Sequence, residues 1–411
     1  MIFLEKNNII TVLLCLVAFT MPFGFVENIN SFSIILLLVY TIYISTIQRN
    51  FLIKNKKLLQ ILPVLYFLFL VFSLTYSEQS YQGIKQIEKN LSFLLFPLIF
   101  WRLDKFITHN TKERIILSFV ISNIIALLFC LFYAIKIYYL ESESDPLIKG
   151  SFYFTEILDL HPTYFSMYLL FCISVVGAYL YKANLRLNLF KKTVIILTIF
   201  FFLGFILHLR SRSAILALIL IVVFFTYKII IYVYKRNRRI FFYTLFVGIL
   251  LFFFFLFSTG IKNAFDKYTQ AYLQRDTGGA IEERLDNWEA SLGAVSESYI
   301  FGYGIGDSQK VRDKYFYIHG FDVGIDNKYN SHNQFIEILI IGGILGLILL
   351  LSMYFKLLLL YFKTQDISVL CFFTLLFVIM TTESILVRQH GIVFFSFFYV
   401  LFNKRIDEKK N

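Results

Sequence analysis

Apolar runs long enough to cross a lipid bilayer recur along almost the whole chain, and they limit the fold before any motif is considered. A membrane-spanning helix needs about 20 mostly apolar residues. Such runs fall at approximately 9–26, 32–47, 58–76, 84–101, 115–140, 162–181, 193–209, 213–234, 240–257, 335–355, 367–381 and 389–403. Twelve spans would take about 240 apolar residues, and 58% of the 411 residues are hydrophobic. Charged residues make up only 16%, against about 25% in soluble domains. A disordered chain, a secreted disulfide scaffold and a cytosolic enzyme are all excluded. The expected fold is an all-α polytopic membrane protein with about 12 transmembrane helices.

Charge sets the orientation. Basic clusters follow every second span: Arg49 to Lys57, Arg102 to Arg114, Lys182 to Lys192, Lys235 to Arg239, Lys356 with Lys363, and Lys404 to Lys410. The positive-inside rule then puts these clusters, and both termini, in the cytoplasm. The net charge of +12 is therefore a topology signal, and no nucleic-acid partner is expected. Lys6 precedes the first run, but no small-x-small cleavage site follows, so the run is expected to stay as a helix. The fourth run carries Lys85, Glu88 and Lys89 in its first turns, which predicts an interfacial start before entry into the bilayer. The four cysteines (Cys15, Cys130, Cys172, Cys371) all lie in apolar runs, and neither a metal site nor a disulfide framework is expected. The abundant Phe and Ile are expected to be lipid-facing filler.

Three units follow: residues 1–257 with spans one to nine, 258–334 as a large outer loop, and 335–411 with the last three spans and a short tail. A loop this long is usually functional or has structure of its own. Helical patterns at 263–274 and 281–295 predict a small helical cap.

The residues able to do chemistry gather on the outer side. His208-Leu-Arg210-Ser-Arg212 sets two arginines in a very short outer turn. Misplaced basic residues tend to face a cavity and meet an anion, and a guanidinium fork suits phosphate. Snorkelling to headgroups, or a salt bridge to Glu383, is the structural alternative. Arg284 and Trp288 share a helix face, where a cation–π pair or plain packing are both open. Gly302, Gly304 and Gly306 fit a phosphate-approaching loop, but no parallel-sheet strand precedes them and a plain turn is favoured. Ser331-His332-Asn333 lies where the chain re-enters the membrane. A histidine there suits a general base, with an interfacial hydrogen-bonded His as the bland reading. His161 is also on the outer side, and Thr382-Glu383-Ser384 with Arg388 and His390 crowd the last outer loop, either completing a site or capping helices. Gly342, Gly343 and Gly346 are expected to permit close helix packing.

Taken in order, these motifs resemble the O-antigen ligase and polymerase superfamily. The pieces are Ser211-Arg212-Ser213, Arg284-x-x-x-Trp288, Phe301-Gly-x-Gly-x-Gly306, and Ser331-His332-Asn333 followed by the Gly342–Leu347 helix. His161–Tyr164 and Glu383–Gly391 also resemble versions of this family. The resemblance implies a GT-C-like glycosyltransferase of the bacterial inner membrane, working without metal or other cofactor, whose cap is periplasmic. It implies a donor glycan on undecaprenyl diphosphate and an acceptor hydroxyl on lipid A-core or another glycan. His332 would be the base, and Arg212 and Arg284, with Arg210, would hold the diphosphate. Trp288, His161, Asn333 and Glu383 would support the site. One dominant outer loop favours a ligase over a polymerase, with a protein O-oligosaccharyltransferase also open. A flippase for a lipid-linked anionic sugar is the alternative from another class. Such transporters more often show pseudo-symmetric halves with polar residues at mid-membrane. A receptor or structural membrane protein ranks third, because it does not explain the paired outer arginines.

Overall fold

The computed structural model describes residues 2–47, 61–140, 151–183, 187–236 and 282–404. The expected ninth span at 240–257, the expected helix at 263–274 and residues 141–150 of the outer loop lie outside them. Every regular element among the described residues is helical. The first part holds α1 (Ile2–Thr20), α2 (Glu27–Ile47), α3 (Ile61–Ser73), α4 (Ser80–Asn90), α5 (Ser92–Arg102) and α6 (His109–Leu140). A short α7 (Ser151–Glu156) leads into α8 (Pro162–Ala183), α9 (Leu189–His208) and α10 (Arg212–Arg236). After these come α11 (Glu282–Glu297), α12 (Ser308–Ile318), α13 (Asp322–Asp326), α14 (Gln334–Thr364), α15 (Ile367–Met380) and α16 (Gln389–Asn403).

Among the described residues, five stretches are long and apolar enough to cross a membrane: Asn28–Ile47, His109–Tyr138, Pro162–Ala183, Leu189–His208 and Gln334–Thr364. Shorter apolar helices lie at Asn8–Thr20, Ile61–Tyr76, Ile367–Met380 and Gln389–Asn403. Helices suit this chain because hydrocarbon offers no partner for a bare N–H or C=O, so each segment must satisfy its own backbone. The protein is thus a multi-pass helical membrane protein. The fourth apolar run divides at Leu91 into polar α4 and apolar α5, as its early charges predict.

The bundle is built around α8, whose residues 162–175 are buried on all sides. Phe119 of α6, Phe171 of α8, Phe372 of α15, and Phe394 and Phe398 of α16 are all fully buried. Their rings interlock at centroid distances such as 4.5 Å for Phe171–Phe398 and 5.1 Å for Phe119–Phe398, the tilted and edge-on contacts that ring quadrupoles favour. The expectation of phenylalanine as lipid-facing filler fails for this group. These rings fill the protein interior, where shape complementarity replaces the missing hydrophobic drive between helices in lipid.

Two faces of the bundle are marked by different chemistry. At one, Lys182 pairs with Asp366 at 3.0 Å, and Lys404 pairs with Asp104. At the other, α8, α14 and α16 begin and α15 ends. There the Tyr168 hydroxyl donates to the His390 carbonyl at 3.0 Å.

Helix α14 is not one rod. Gly343 has φ +56° and ψ −155°, a region open essentially to glycine alone. In a continuous helix Phe335 and Tyr354 would stand about 28 Å apart, yet their ring centroids are 6.3 Å apart. A Cβ built on Gly346 would lie 3.1 Å from Ile338 Cγ1. The chain therefore reverses at Gly343, and 334–342 folds back along the rest of the helix. Of the three glycines expected to permit close packing, Gly343 instead makes the turn, while Gly342 and Gly346 do pack closely, a Cβ on either meeting the Phe69 ring. Loop 299–304 supplies the backbone bonds that the break leaves open: Tyr303 N–H to Ile340 O at 2.8 Å, Gly304 N–H to Ile341 O at 2.9 Å, and Ile344 N–H to Tyr299 O at 2.8 Å. A Cβ on Gly343 would also collide with the Ile300 carbonyl. Gly343→Ala is accordingly expected to destabilise the fold by about 2 kcal/mol or more. Thermal unfolding in detergent checks this, and an unchanged melting temperature would refute the reversal.

Candidate functional site

The reversal of α14 brings Ser331-His332-Asn333 against the end of α15 and the start of α11. Each of the three residues is held separately. Ser331 is fully buried, and both its N–H and its hydroxyl donate to Glu337 Oε2, at 3.2 and 2.8 Å. Glu337 in turn receives Arg312 Nη1 at 2.6 Å, with side-chain exposures of only 2% and 3%. Asn333 caps α14, its Oδ1 accepting from Phe335 N and Ile336 N at 2.9 and 3.2 Å. This is the usual role of Asn at a helix start. Its own N–H donates to Ser384 Oγ at 3.2 Å, while the Leu386 N–H donates to Gln334 Oε1 at 2.7 Å. Between these clamps His332 takes a left-handed φ of +44°, a strained conformation for a non-glycine residue. Its N–H donates to Asn330 Oδ1 at 2.9 Å.

This backbone aims the His332 ring at Glu383. Nδ1 lies 3.3 Å from Glu383 Oε2, and Tyr329 stands edge-on at 5.3 Å. The other carboxylate oxygen, Oε1, accepts from Arg284 Nη2 at 3.1 Å. Helix α11 is fixed to the same segment by Asn287, whose Nδ2 donates to the Asn330 carbonyl at 2.8 Å. Glu383 is 10% exposed and His332 26%, so the carboxylate is sheltered while the imidazole keeps an open side. Burial pushes the Glu383 carboxyl up, but the His332 hydrogen bond and the nearby His332, His161 and Arg284 outweigh it and hold the group below its usual range. An ionised carboxylate only accepts hydrogen bonds, so His332 Nδ1 is the donor in this contact, and in the neutral imidazole Nε2 would be the nitrogen left to accept a proton.

His161 comes close enough to feel the charges of Glu383, Arg388, His332 and Arg284. Burial depresses its pKa to about 4, so its imidazole is neutral at pH 7. Its Nδ1 accepts from Thr163 N–H at 3.2 Å, which leaves the proton on Nε2. Short α7 joins it to the arginine turn, with Phe152 edge-on to His161 at 5.0 Å and Phe154 edge-on to His208 at 5.0 Å.

The predicted site residues thus divide. Arg284, His332, Asn333, Glu383 and His161 come together. Arg210 and Arg212 lie exposed at the turn beyond α7, Arg210 with φ +52°. No hydrogen bond or ion pair joins Arg210 to Glu383 or His332 among the described residues. Trp288 packs against the small core of Ala290, Ala294, Tyr315, Phe316 and Phe321, and the Arg284 guanidinium goes to Glu383 instead of the indole. The glycine loop has no N–H to offer a phosphate. Ile305 N–H and Gly306 N–H donate to Ser73 Oγ and Ser77 Oγ at 3.2 and 3.1 Å, and Tyr303 and Gly304 serve the α14 break. Among the described residues no group of three or more His, Cys, Asp and Glu side chains could hold a metal ion.

The Arg312–Glu337 pair escaped sequence reasoning, although a carboxylate in the first turn of an apolar helix was a signal. Breaking a buried pair leaves an uncompensated charge, at a cost of about 3–5 kcal/mol. Arg312→Ala should therefore abolish or sharply lower the yield of monodisperse protein on size-exclusion chromatography, with the Arg312→Met, Glu337→Gln double variant recovering part of it. A normal yield for Arg312→Ala would show that the pair does not anchor Ser331.

Comparison with known families bears on this cluster. Residues 197–351 match the family model described as O-antigen ligase, Wzy_C. The matched segment contains Arg210, Arg212, Arg284 and His332 and excludes His161 and Glu383. No curated protein matches the chain.

Proposed function

We propose, from the premise that residues 197–351 carry an O-antigen ligase domain, that the protein is a bacterial inner-membrane glycosyltransferase. It transfers a glycan from undecaprenyl diphosphate to a hydroxyl of lipid A-core on the periplasmic side. In this reading the chain has twelve spans in a GT-C-like arrangement, both termini are cytoplasmic, and α11–α13 belong to a helical periplasmic cap. The single observation that carries the chemistry is the His332–Glu383–Arg284 chain, with contacts of 3.3 and 3.1 Å.

The proposed step follows from those atoms. Glu383 holds Nδ1–H, so Nε2 of His332 takes the proton of the acceptor hydroxyl. The acceptor oxygen forms a bond to the anomeric carbon of the donor. The bond from that carbon to the diphosphate oxygen breaks, and its electron pair leaves with undecaprenyl diphosphate. Negative charge grows on the leaving group, and guanidinium groups fixed beforehand stabilise it. Arg284 takes that role within the cluster, and Arg212, with Arg210 next to it in the turn beyond α7, is proposed to meet the diphosphate from that side. A base oriented by a carboxylate accelerates such a proton transfer by about 100-fold or more.

The test is transfer by the purified protein from a lipid-linked oligosaccharide to lipid A-core. His332→Ala and Arg212→Ala should each lower turnover at least about a hundredfold. Near-normal turnover in either variant removes that residue from the mechanism. Chain growth from lipid-linked repeat units alone would make the enzyme a polymerase.

A further inference from the structure

Arg284 stands in two roles that compete. The proposed donor needs its guanidinium for a diphosphate, but the guanidinium is paired with Glu383 at 3.1 Å. The same carboxylate orients His332 through its other oxygen at 3.3 Å. One negative charge therefore serves a phosphate-binding group on one side and the base on the other.

We propose that Glu383 is a positioning residue shared between Arg284 and His332, and that capture of Arg284 by the donor diphosphate hands the carboxylate to the base. This inference rests on the lipid-diphosphate reading given above. A diphosphate carries more negative charge than a carboxylate and offers paired oxygens to the guanidinium fork. It outcompetes Glu383 for Arg284, and the freed carboxylate then interacts with His332 alone. Catalysis is coupled in this way to donor occupancy, so the base reaches full strength only when a leaving group is in place.

The surroundings fit a two-way choice. Tyr329 lies edge-on to His332 on its own segment. Behind Ser331, Glu337 is taken up by Arg312 at 2.6 Å and by Ser331, so Glu337 does not draw on Arg284. His161, from the segment before α8, is neutral, and Arg388 at the start of α16 is exposed. Glu383 itself is nine-tenths sheltered, whereas Arg284 keeps 35% of its side chain exposed. The guanidinium is thus the partner with room to turn toward a ligand.

The sharing predicts an uncommon pair of effects. Glu383→Gln keeps the shape but removes the charge that holds Arg284 back. Binding of undecaprenyl diphosphate to the purified full-length protein, followed by calorimetry in detergent, should become about fivefold tighter, the scale of a partly exposed ion pair released. In the transfer assay the same variant should lose about a hundredfold in kcat while the donor KM falls. Glu383→Asp should recover part of kcat, and Arg284→Ala should weaken diphosphate binding. A merely structural Glu383 would weaken binding and turnover together. Unchanged or weaker binding by Glu383→Gln, with the wild type binding normally, overturns the sharing and leaves the donor assignment standing. No binding by the wild type overturns the lipid-diphosphate donor itself, and the sharing with it.

Discussion

A helix that stops inside an apolar bundle must give its open backbone groups to something else. That requirement governs the arrangement around Gly343. The chain can reverse there because glycine accepts φ +56° with ψ −155°, and because loop 299–304 supplies the missing hydrogen bonds. The same loop is tied to the end of α3 through Tyr76, whose hydroxyl donates to the Phe301 carbonyl at 2.8 Å. Asp307 completes the tie by accepting from the N–H groups of Glu78 and Gln79 at 2.7 and 2.9 Å. Everything that makes His332 useful depends on this reversal, since a straight α14 would carry Ser331-His332-Asn333 away from α15.

Two sheltered carboxylates, Glu337 and Glu383, then do different work on the adjacent residues Ser331 and His332. Glu337 is matched by Arg312 with almost no exposure, and its second oxygen is committed to Ser331. A pair of this kind adds little net stability over apolar residues, but it fixes geometry and penalises loss of either partner. Glu383 is matched by two groups that each keep some access to solvent. The first arrangement fixes a backbone, and the second leaves a charge that can be redistributed.

The helices were legible because apolar length and basic flanks are local properties of a sequence. The split of the fourth run at Leu91 was legible for the same reason, from Lys85, Glu88 and Lys89. Buried and lipid-facing phenylalanines were not separable, since lipid and protein interior are equally apolar and Phe119 or Phe398 carries no mark of its side. The reversal at Gly343 was hidden because its hydrogen-bond donors, Tyr303 and Gly304, lie about forty residues away along the chain. Within the site, Arg284, His332, His161, Asn333 and Glu383 could each be singled out by type and position. The joining of Arg284 and His332 through Glu383 could not, because the contacts span 99 and 51 residues. Arg210 and Arg212 stood out by the same local logic, yet they sit at a turn beyond α7. Sequence position alone does not say which outer arginine pairs with Glu383.

In the proposed function a lipid diphosphate is bound next to the imidazole that would activate the acceptor. An electron cryo-microscopy map of the protein with undecaprenyl diphosphate tests it most directly. Diphosphate density is expected within hydrogen-bond reach of Arg284, on the open side of His332. Density confined to another surface, with Arg284 still on Glu383 and no ligand beside His332, would contradict it.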